Sequence, residues 1–373
     1  MLSVYDAKQD CCGCSACHAA CPTGAITMLP DEEGFLYPAI DTTACADCGA
    51  CRDVCPFIAK DHYKEAGEQH YYVAKHRSPD VLMKSTSGGA FSALSDVVLA
   101  QGGAIYGADF DENFRVVHTR ADTPEARNRQ RISKYVQSDM GSTFRSARAD
   151  LEAGLQVLFT GTPCQCAGLR GYLGHSPLDK GLTTCDLICH SIPSPLVWEN
   201  YKALLVKEAG GRLVDLRFRS KVLDWDYMNA DKTFFYRTDT MPEAKQDNRF
   251  YFLYFRDRTI MRSCCAVCPF ADARRASDIT IADYWGIEKY APDWYDPKGV
   301  SVIITNDKKG EALMRQSEGQ LVFEERPAEE TLSEQRRLHR PIRFAGDRDA
   351  FWQDYRERGL GPALEARIKK AKR

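Results

Sequence analysis

The order of apolar and polar residues predicts strands and helices in alternation along residues 70–175. Short, mostly apolar runs predict strands over "HYYVAKHR", "GGAIYGADF", "RVVHTRA" and "LQVLFTGTP". The segments "TPEARNRQR" and "TFRSARADLEAG", which lie between them, predict helices. Helices that alternate with strands are typical of an α/β domain, so we expect this segment to be the first part of a mixed α/β core.

The remainder of the chain continues in a less regular α+β pattern over residues 176–325. Strands are predicted there over "RLVDLRFRSK", "KTFFYRT", "ASDITIADYW" and "VSVIITND". Residues 326–373 are polar and predict a helical extension. Residues 60–69, "KDHYKEAGEQ", have no apolar period and predict a linker that separates the core from an N-terminal module of residues 1–60.

That module holds two nearly identical cysteine ladders, "CCGCSACHAACP" and "CADCGACRDVCP". In each, three cysteines are spaced by two residues and a fourth follows after three residues and precedes a proline, which is typical of a two-cluster ferredoxin. The fourth cysteine of such a ladder reaches the neighbouring 4Fe–4S cluster. Zinc sites, the alternative, prefer two separated cysteine pairs. We expect one cluster on Cys11, Cys14, Cys17 and Cys55, and the other on Cys45, Cys48, Cys51 and Cys21.

Composition limits the partners, the cellular location and the cysteine chemistry that we expect. The 373 residues carry a formal net charge of −2, which makes nucleic acid an unexpected partner. No run approaches the roughly 20 apolar residues that span a bilayer, and "MLSVYDAKQD" does not resemble a leader, so we expect a cytoplasmic protein. Reducing compartments keep disulfides rare, and the 16 cysteines therefore indicate metal or redox chemistry.

Two polar segments of the core are candidates for binding a cofactor. In "STSGGAFSALSDVVLA" a cap at Ser87 and the pair Gly88 and Gly89 would let a diphosphate approach a helix N-terminus, although most such pairs are only tight turns. The segment "RISKYVQSD" contains hydrogen-bond donors that suit contacts with phosphate and isoalloxazine groups. These donors are Ser133, Lys134, Tyr135, Gln137 and Ser138. Alternatively, these residues belong to an exposed loop.

Eight cysteines remain outside the ladders. Isolated cysteines are usually buried as small apolar residues. Cys164, however, follows a predicted strand at an exposed position, and Cys265 and Cys268 repeat the ladder spacing before a proline. Four of the eight would complete a third cluster.

Five blocks, in order, resemble the coenzyme F420 hydrogenase/dehydrogenase β-subunit family in its bacterial form with an N-terminal dicluster ferredoxin domain. They are "KSTSGGAFSAL", "SKYVQSD", "VLFTGTPCQCAGL", "DLICHSIPSPLVW" and "RSCCAVCPFADARRASDITIADYWG". The resemblance implies FAD in the α/β core, contacted by the two cofactor segments, and a third 4Fe–4S cluster. It places the ligands of that cluster at Cys164, Cys189, Cys265 and Cys268. Cys12 and Cys264 would then be spectators, and Cys185 stays open as a substitute ligand.

The resemblance implies an FAD-dependent iron–sulfur oxidoreductase that moves electrons between a ferredoxin or partner subunit and a hydride-accepting molecule such as coenzyme F420. An electron-transfer subunit without a substrate site, and a non-catalytic sensor, are the alternatives. Acidic residues dominate the ladder region, which favours a basic docking site on this chain or on a partner. Arginines at 120, 127, 129 and 131 offer an attraction for an anionic coenzyme, or a solvated helix face.

Overall fold

A computed structural model describes residues 3–59, 67–174, 176–221, 225 and 234–371. Most of the predicted linker, residues 60–66, lies outside the described residues, as do the first two residues of the strand predicted over "KTFFYRT" and the last two residues of the chain. No helix in the described residues is long and apolar enough to cross a bilayer.

The N-terminal module consists of two similar halves, each with a ladder and a short helix. Its elements are α1 (Ala16–Ala20), β1 (Ile26–Pro30), β2 (Leu36–Ile40) and α2 (Ala50–Asp53). The two strands pair in an antiparallel hairpin, with Ile26 opposite Ile40. The ferredoxin-like arrangement predicted for this region is therefore confirmed.

An eight-stranded mixed sheet forms the core. Its strands are β3 (His70–His76), β4 (Ala104–Phe110), β5 (Val116–Ala121), β6 (Val157–Gly161), β7 (Leu182–Leu187), β11 (Ile279–Asp283), β12 (Ser301–Thr305) and β13 (Leu321–Glu325). They lie in the order β13-β3-β12-β11-β7-β6-β4-β5. Strands β4, β6, β7 and β11 form a parallel group in the middle of the sheet. All other neighbouring strands in this sheet are antiparallel. The sheet takes strands from both predicted parts of the core, so residues 70–175 and 176–325 share one sheet.

A second, antiparallel sheet has three strands: β8 (Leu213–Arg217), β9 (Phe235–Thr238) and β10 (Lys245–Gln246). Helices cover both sheets. They are α3 (Pro79–Met83), α4 (Ala90–Ala100), α5 (Pro124–Gln130), α6 (Thr143–Glu152), α7 (Pro163–Leu173), α8 (Pro195–Ala209), α9 (Arg249–Tyr251), α10 (Ile287–Tyr290), α11 (Lys308–Gln316), α12 (Ala328–Glu334), α13 (Arg348–Arg358) and α14 (Leu360–Ala371). The last three lie among the residues predicted to form a helical extension.

Helix α4 begins two residues later than a cap at Ser87 predicts, and the predicted cap is wrong. Gly89 is the N-cap residue, with φ of 88°, and no side chain caps the helix. The Ser87 hydroxyl instead donates to the carbonyl of Val300 at 2.8 Å. The backbone at this turn is left-handed, a conformation that glycine adopts readily. The presence of Gly89 therefore does not require a bound ligand.

The ferredoxin-like module packs directly on the core through close backbone contacts. A Cβ added to Gly168 in α7 would lie 2.9 Å from Cys14 Sγ, and one added to Gly34 would lie 2.4 Å from Cβ of Leu196 in α8. Across the same boundary Arg348 forms an ion pair with Glu33. The acidic module therefore meets a basic residue of its own chain, as its charge favours.

Replacing Gly34 with alanine tests this packing. The substitution adds a left-handed backbone penalty of roughly 1–2 kcal/mol and a clash with α8 that costs about 1–3 kcal/mol more. Gly24→Ala is the matched control, because Gly24 also has a positive φ but nothing lies within 4 Å of its added Cβ. We expect Gly34→Ala to lose the iron–sulfur chromophore at a clearly lower temperature than Gly24→Ala. Equal melting would contradict close docking here.

Candidate functional site

The first group of thiols lies in the module, where it faces the core. Cys11, Cys14, Cys17 and Cys55 line one cavity together with Gly13 and apolar side chains such as Val4 and Met28. Cys14 and Cys17 are buried, and Cys11 and Cys55 are partly exposed. Three thiols come from the first ladder and one from the second, which is the grouping that the ladder spacing predicts.

The second group lies on the outer side of the module. Cys45, Cys48 and Cys51 are close enough that Cys45 and Cys48 contribute to the raised pKa of Cys51, after the larger effect of burial. Cys21 and Cys51 both pack beside Cys17 and Ile26. Cys48 is exposed, so this group is open to solvent.

The third group of thiols forms at the carboxyl ends of adjacent parallel strands. Gly161 of β6 lies opposite Asp186 of β7, and Cys164 and Cys189 each follow three residues later. The loop before β11 brings Cys265 and Cys268 to the same place, and all four thiols line one cavity. Crevices at the carboxyl ends of parallel strands are common ligand sites. Cys185, by contrast, lies within β7 and packs in the apolar core.

Cys12 and Cys264, predicted to be spectators, lie between the first and third groups. Both line the third cavity, and Cys12 also lines the first. They are buried in one apolar cluster with Cys14, and Cys164 and Cys265 pack against that cluster. The two cavities are therefore neighbours, separated by thiol and apolar side chains from distant parts of the chain.

The electrostatics of these groups favour a bound cation. Burial, with the nearby Cys164 and Cys265, raises the pKa of Cys268 to about 12. Burial also raises the pKa of Cys17, with Cys11 and Cys55 as the next causes. Within the described residues, no three His, Cys, Asp or Glu side chains converge as ligands of a single metal ion. The thiols surround cavities instead, and a donor set of four thiols around a cavity fits a 4Fe–4S cluster, whose iron would offset the thiolate charge.

Arg262 joins the module to the core beside the first cavity, and the sequence reasoning missed it. The side chain is fully buried, with 0% exposure. Its guanidinium donates to the Cys11 carbonyl at 2.8 Å, to Cys11 Sγ at 3.6 Å and to the Leu36 carbonyl at 3.0 Å. It also lies 4.1 Å from the centre of the Tyr37 ring. Its position two residues before the CC pair in "RSCCAVC" is the only sequence signal that pointed to it.

Residues of the large sheet fill the space beside Gly88 and Gly89, where a diphosphate was predicted. The Gly88 amide donates to Ser301 Oγ at 2.9 Å, and a Cβ there would lie 2.5 Å from the Ala74 carbonyl oxygen. A Cβ on Gly89 would lie 2.8 Å from His76 Cβ. Both glycines are thus required by packing, and the Gly88 amide already has a protein partner.

Several donors of the predicted segment 133–138 are also engaged by the protein. Lys134 Nζ donates to three carbonyls at the end of α5, and burial lowers its pKa to about 8. Gln137 Nε2 donates to the Cys12 carbonyl at 3.0 Å. Ser138 Oγ accepts from Gln165 Nε2 at 2.9 Å, and the Ser133 amide donates to Thr86 at 2.8 Å. Gln137 and Ser138 therefore belong to the region around the thiol cavities.

Tyr135 differs from its neighbours because its ring packs against the same side-chain cluster as Cys265 of the third group. It packs in a cluster with Tyr254, Met261 and Cys265, 5.2 Å from the ring centre of Tyr254. Its hydroxyl accepts from Arg219, which also pairs with Asp283 at 3.3 Å. Of the predicted cofactor residues, Tyr135 is the one whose ring packs against the same cluster as a cysteine of the third group.

The arginines predicted to attract an anionic coenzyme are mostly neutralised. Arg120 pairs with Asp122 and Asp150, Arg127 pairs with Asp96, and Arg129 pairs with Asp109. Carboxylates of this chain therefore already pair with Arg120 on β5 and with Arg127 and Arg129 on α5.

Comparison with known proteins agrees with this arrangement. Residues 10–59 match the 4Fe–4S dicluster domain, and residues 154–331 match the family described as the C terminus of the beta subunit of coenzyme F420 hydrogenase/dehydrogenase. Residues 154–331 are therefore similar to this F420 hydrogenase β-subunit-like family. That match spans Cys164, Cys189, Cys265 and Cys268.

Two individual proteins are similar to this chain. The coenzyme F420-dependent sulfite reductase of Methanocaldococcus jannaschii is 30% identical over 166 residues, which is 43% of this chain and 24% of that protein. The chain thus spans about a quarter of that relative. A chain from the F420-reducing NiFe hydrogenase complex of Methanosarcina barkeri superposes with a TM-score of 0.49 at 17% identity, covering 83% of this chain and 93% of the other.

Serine substitutions distinguish the two candidate ligands near the end of β7. Cys189→Ser removes a thiol from the third cavity, so we expect iron content to fall by about four atoms per chain, one cluster's worth. Cys185→Ser is the control, because Cys185 is fully buried outside the cavity, and it should leave iron unchanged. If only Cys185→Ser loses iron, Cys185 and not Cys189 is the ligand of the third cluster.

Arg262→Gln tests the influence of the buried guanidinium on the first site. Positive charge near a cluster favours its reduced form, so we expect the midpoint potential to fall by on the order of tens of millivolts in a redox titration followed by EPR. Arg145→Gln is the control, since exposed Arg145 also donates to the module, at the His18 carbonyl, 2.8 Å away. Equal potentials for the two variants and the native protein would contradict the role of Arg262.

Proposed function

We propose that this chain is an iron–sulfur oxidoreductase that exchanges electrons between a ferredoxin or partner subunit and a small organic molecule that accepts a hydride, such as coenzyme F420, with FAD as a second cofactor. The proposal rests chiefly on one observation. Three groups of thiols follow each other from the exposed Cys48 toward the partly buried Tyr135, and neighbouring groups share apolar contacts.

The two ends of this series differ in a way that suits the proposed reaction. The outer group is open to solvent, so a one-electron carrier can approach it. The inner group lies under apolar and aromatic side chains, which exclude water from the place where an organic molecule would react. FAD, when bound, would supply the conversion between single electrons and a hydride. Of the predicted contacts, Tyr135 would offer its ring to the cofactor, whereas Ser87 and Ser133 already have protein partners.

The alternative is an electron-transfer subunit whose substrate site belongs to a partner. Two exposed apolar side chains near the third group favour it: Val267 is 49% exposed and Leu187 is 39% exposed. Apolar residues exposed beside a redox site are suited to contact with another subunit. The full ferredoxin-like module, however, gives this chain its own entry for electrons.

Anaerobic purification followed by measurement of iron, sulfide and flavin tests the proposal. We expect about twelve iron atoms and about one FAD per chain. The protein should then transfer electrons from reduced viologen to F420, and Cys189→Ser should lose this activity while it retains the module's clusters. Absence of flavin would reject the enzyme, and activity that depends on an added subunit would favour the alternative.

A further inference from the structure

Five arginines form a group beside the third thiol cavity, and one of them lines it. They are Arg258, Arg336, Arg337, Arg340 and Arg343. Arg337 lines that cavity together with Cys189 and Cys265. Arg258, Arg336 and Arg340 are near enough to act on Arg337, and the Arg258 guanidinium donates to the carbonyl of Arg343 at 3.4 Å. Sequence reasoning treated "RRLHRPIR" as part of a polar extension and assigned it no role.

These arginines lack the carboxylate partners that their neighbours have. Arg348 pairs with Glu33 and Arg367 with Asp257. Arg337, in contrast, donates to the carbonyl of Arg340 at 3.3 Å, and Arg258 donates to the carbonyl of Phe255 at 3.0 Å. In the part of the chain that the structure describes, none of the five arginines forms an ion pair with a carboxylate.

Like charges held together in this way are unfavourable unless an anion is bound. Burial lowers the pKa of Arg337, and repulsion from Arg258, Arg340 and Arg336 lowers it further. Arg258 and Arg337 are only partly exposed, whereas Arg336, Arg340 and Arg343 reach the solvent. The group therefore leads from solvent to the cavity, and such a concentration of one sign of charge attracts oppositely charged small molecules.

We propose that Arg258, Arg337 and Arg340 bind a small polyanion, an organic molecule with phosphate or carboxylate groups, at the opening of the third thiol cavity. Guanidinium groups suit this ligand because each binds phosphate or carboxylate oxygens through two parallel hydrogen bonds. The inference rests on the proposed function and deepens it, since the polyanion would be the organic electron acceptor or donor. Exposed His190, which follows Cys189, lies within reach of the same charges.

Calorimetric titration of the anaerobic, iron-loaded protein with pyrophosphate, and separately with citrate, tests the site. We expect one equivalent to bind, more weakly as ionic strength rises. The double variant Arg337→Gln with Arg340→Gln should bind at least about tenfold more weakly. The better of the two probes identifies phosphate or carboxylate as the preferred group.

The matched control is the double variant Arg148→Gln with Arg358→Gln. These exposed arginines pair with Glu152 and Asp354 in their own helices, and their loss should leave the affinity unchanged. If the first double variant does not fold, Arg340→Gln alone, on an exposed side chain, should still weaken binding about threefold.

Three results would overturn the site: no binding of either probe, equal binding by the arginine variant, or equal weakening in the control pair. Loss of about four iron atoms in the arginine variant, with no probe binding to the native protein, would show that the arginines serve the thiolates instead. Iron and flavin are measured on the same native sample. A sample that binds the probe but lacks flavin would support the anion site and reject the proposed enzyme.

Discussion

A fully buried guanidinium, that of Arg262, joins the module to the core beside the first cavity. Arg262 is surrounded by the Cys11 and Leu36 carbonyls of the module and by Gln137 of the core. A charge buried this completely is tolerated only when its donors are satisfied. These bonds can form only if the module sits in one position, so the orientation of the first cavity depends on this residue. Because Arg262 precedes Cys264 and Cys265, the same residue also positions the loop of the third cavity.

Close docking explains why small and sulfur-containing residues lie at the boundary. Gly13, Gly34 and Gly168 leave no room for a side chain, and each would clash with an atom of the other part. Cys12 and Cys264 fill the space between the two cavities. Thiol and apolar side chains consequently form the wall between the first and third cavities.

The predicted cofactor residues show how far local reasoning reaches. The segment 133–138 is rich in donors, as its sequence indicates, but the fold divides those donors among different tasks. Gln137 and Ser138 support the region around the thiols, Lys134 satisfies carbonyls at a helix end, and Tyr135 packs against the same cluster as Cys265. A sequence shows which side chains can donate, and only the fold decides which acceptor is nearest.

The sequence alone determined the two ladders, the alternation of helices and strands, and the pair Cys265 and Cys268, because each depends on spacing within a few residues. A family resemblance grouped Cys164 with Cys189, but only the tertiary structure gives the physical reason, which is that β6 and β7 are neighbours in register. Arg262 and the arginines near Arg337 are identified only by the tertiary structure. Their partners, or lack of partners, come from elements far away in the chain, and the spacing of residues contains no record of such distances.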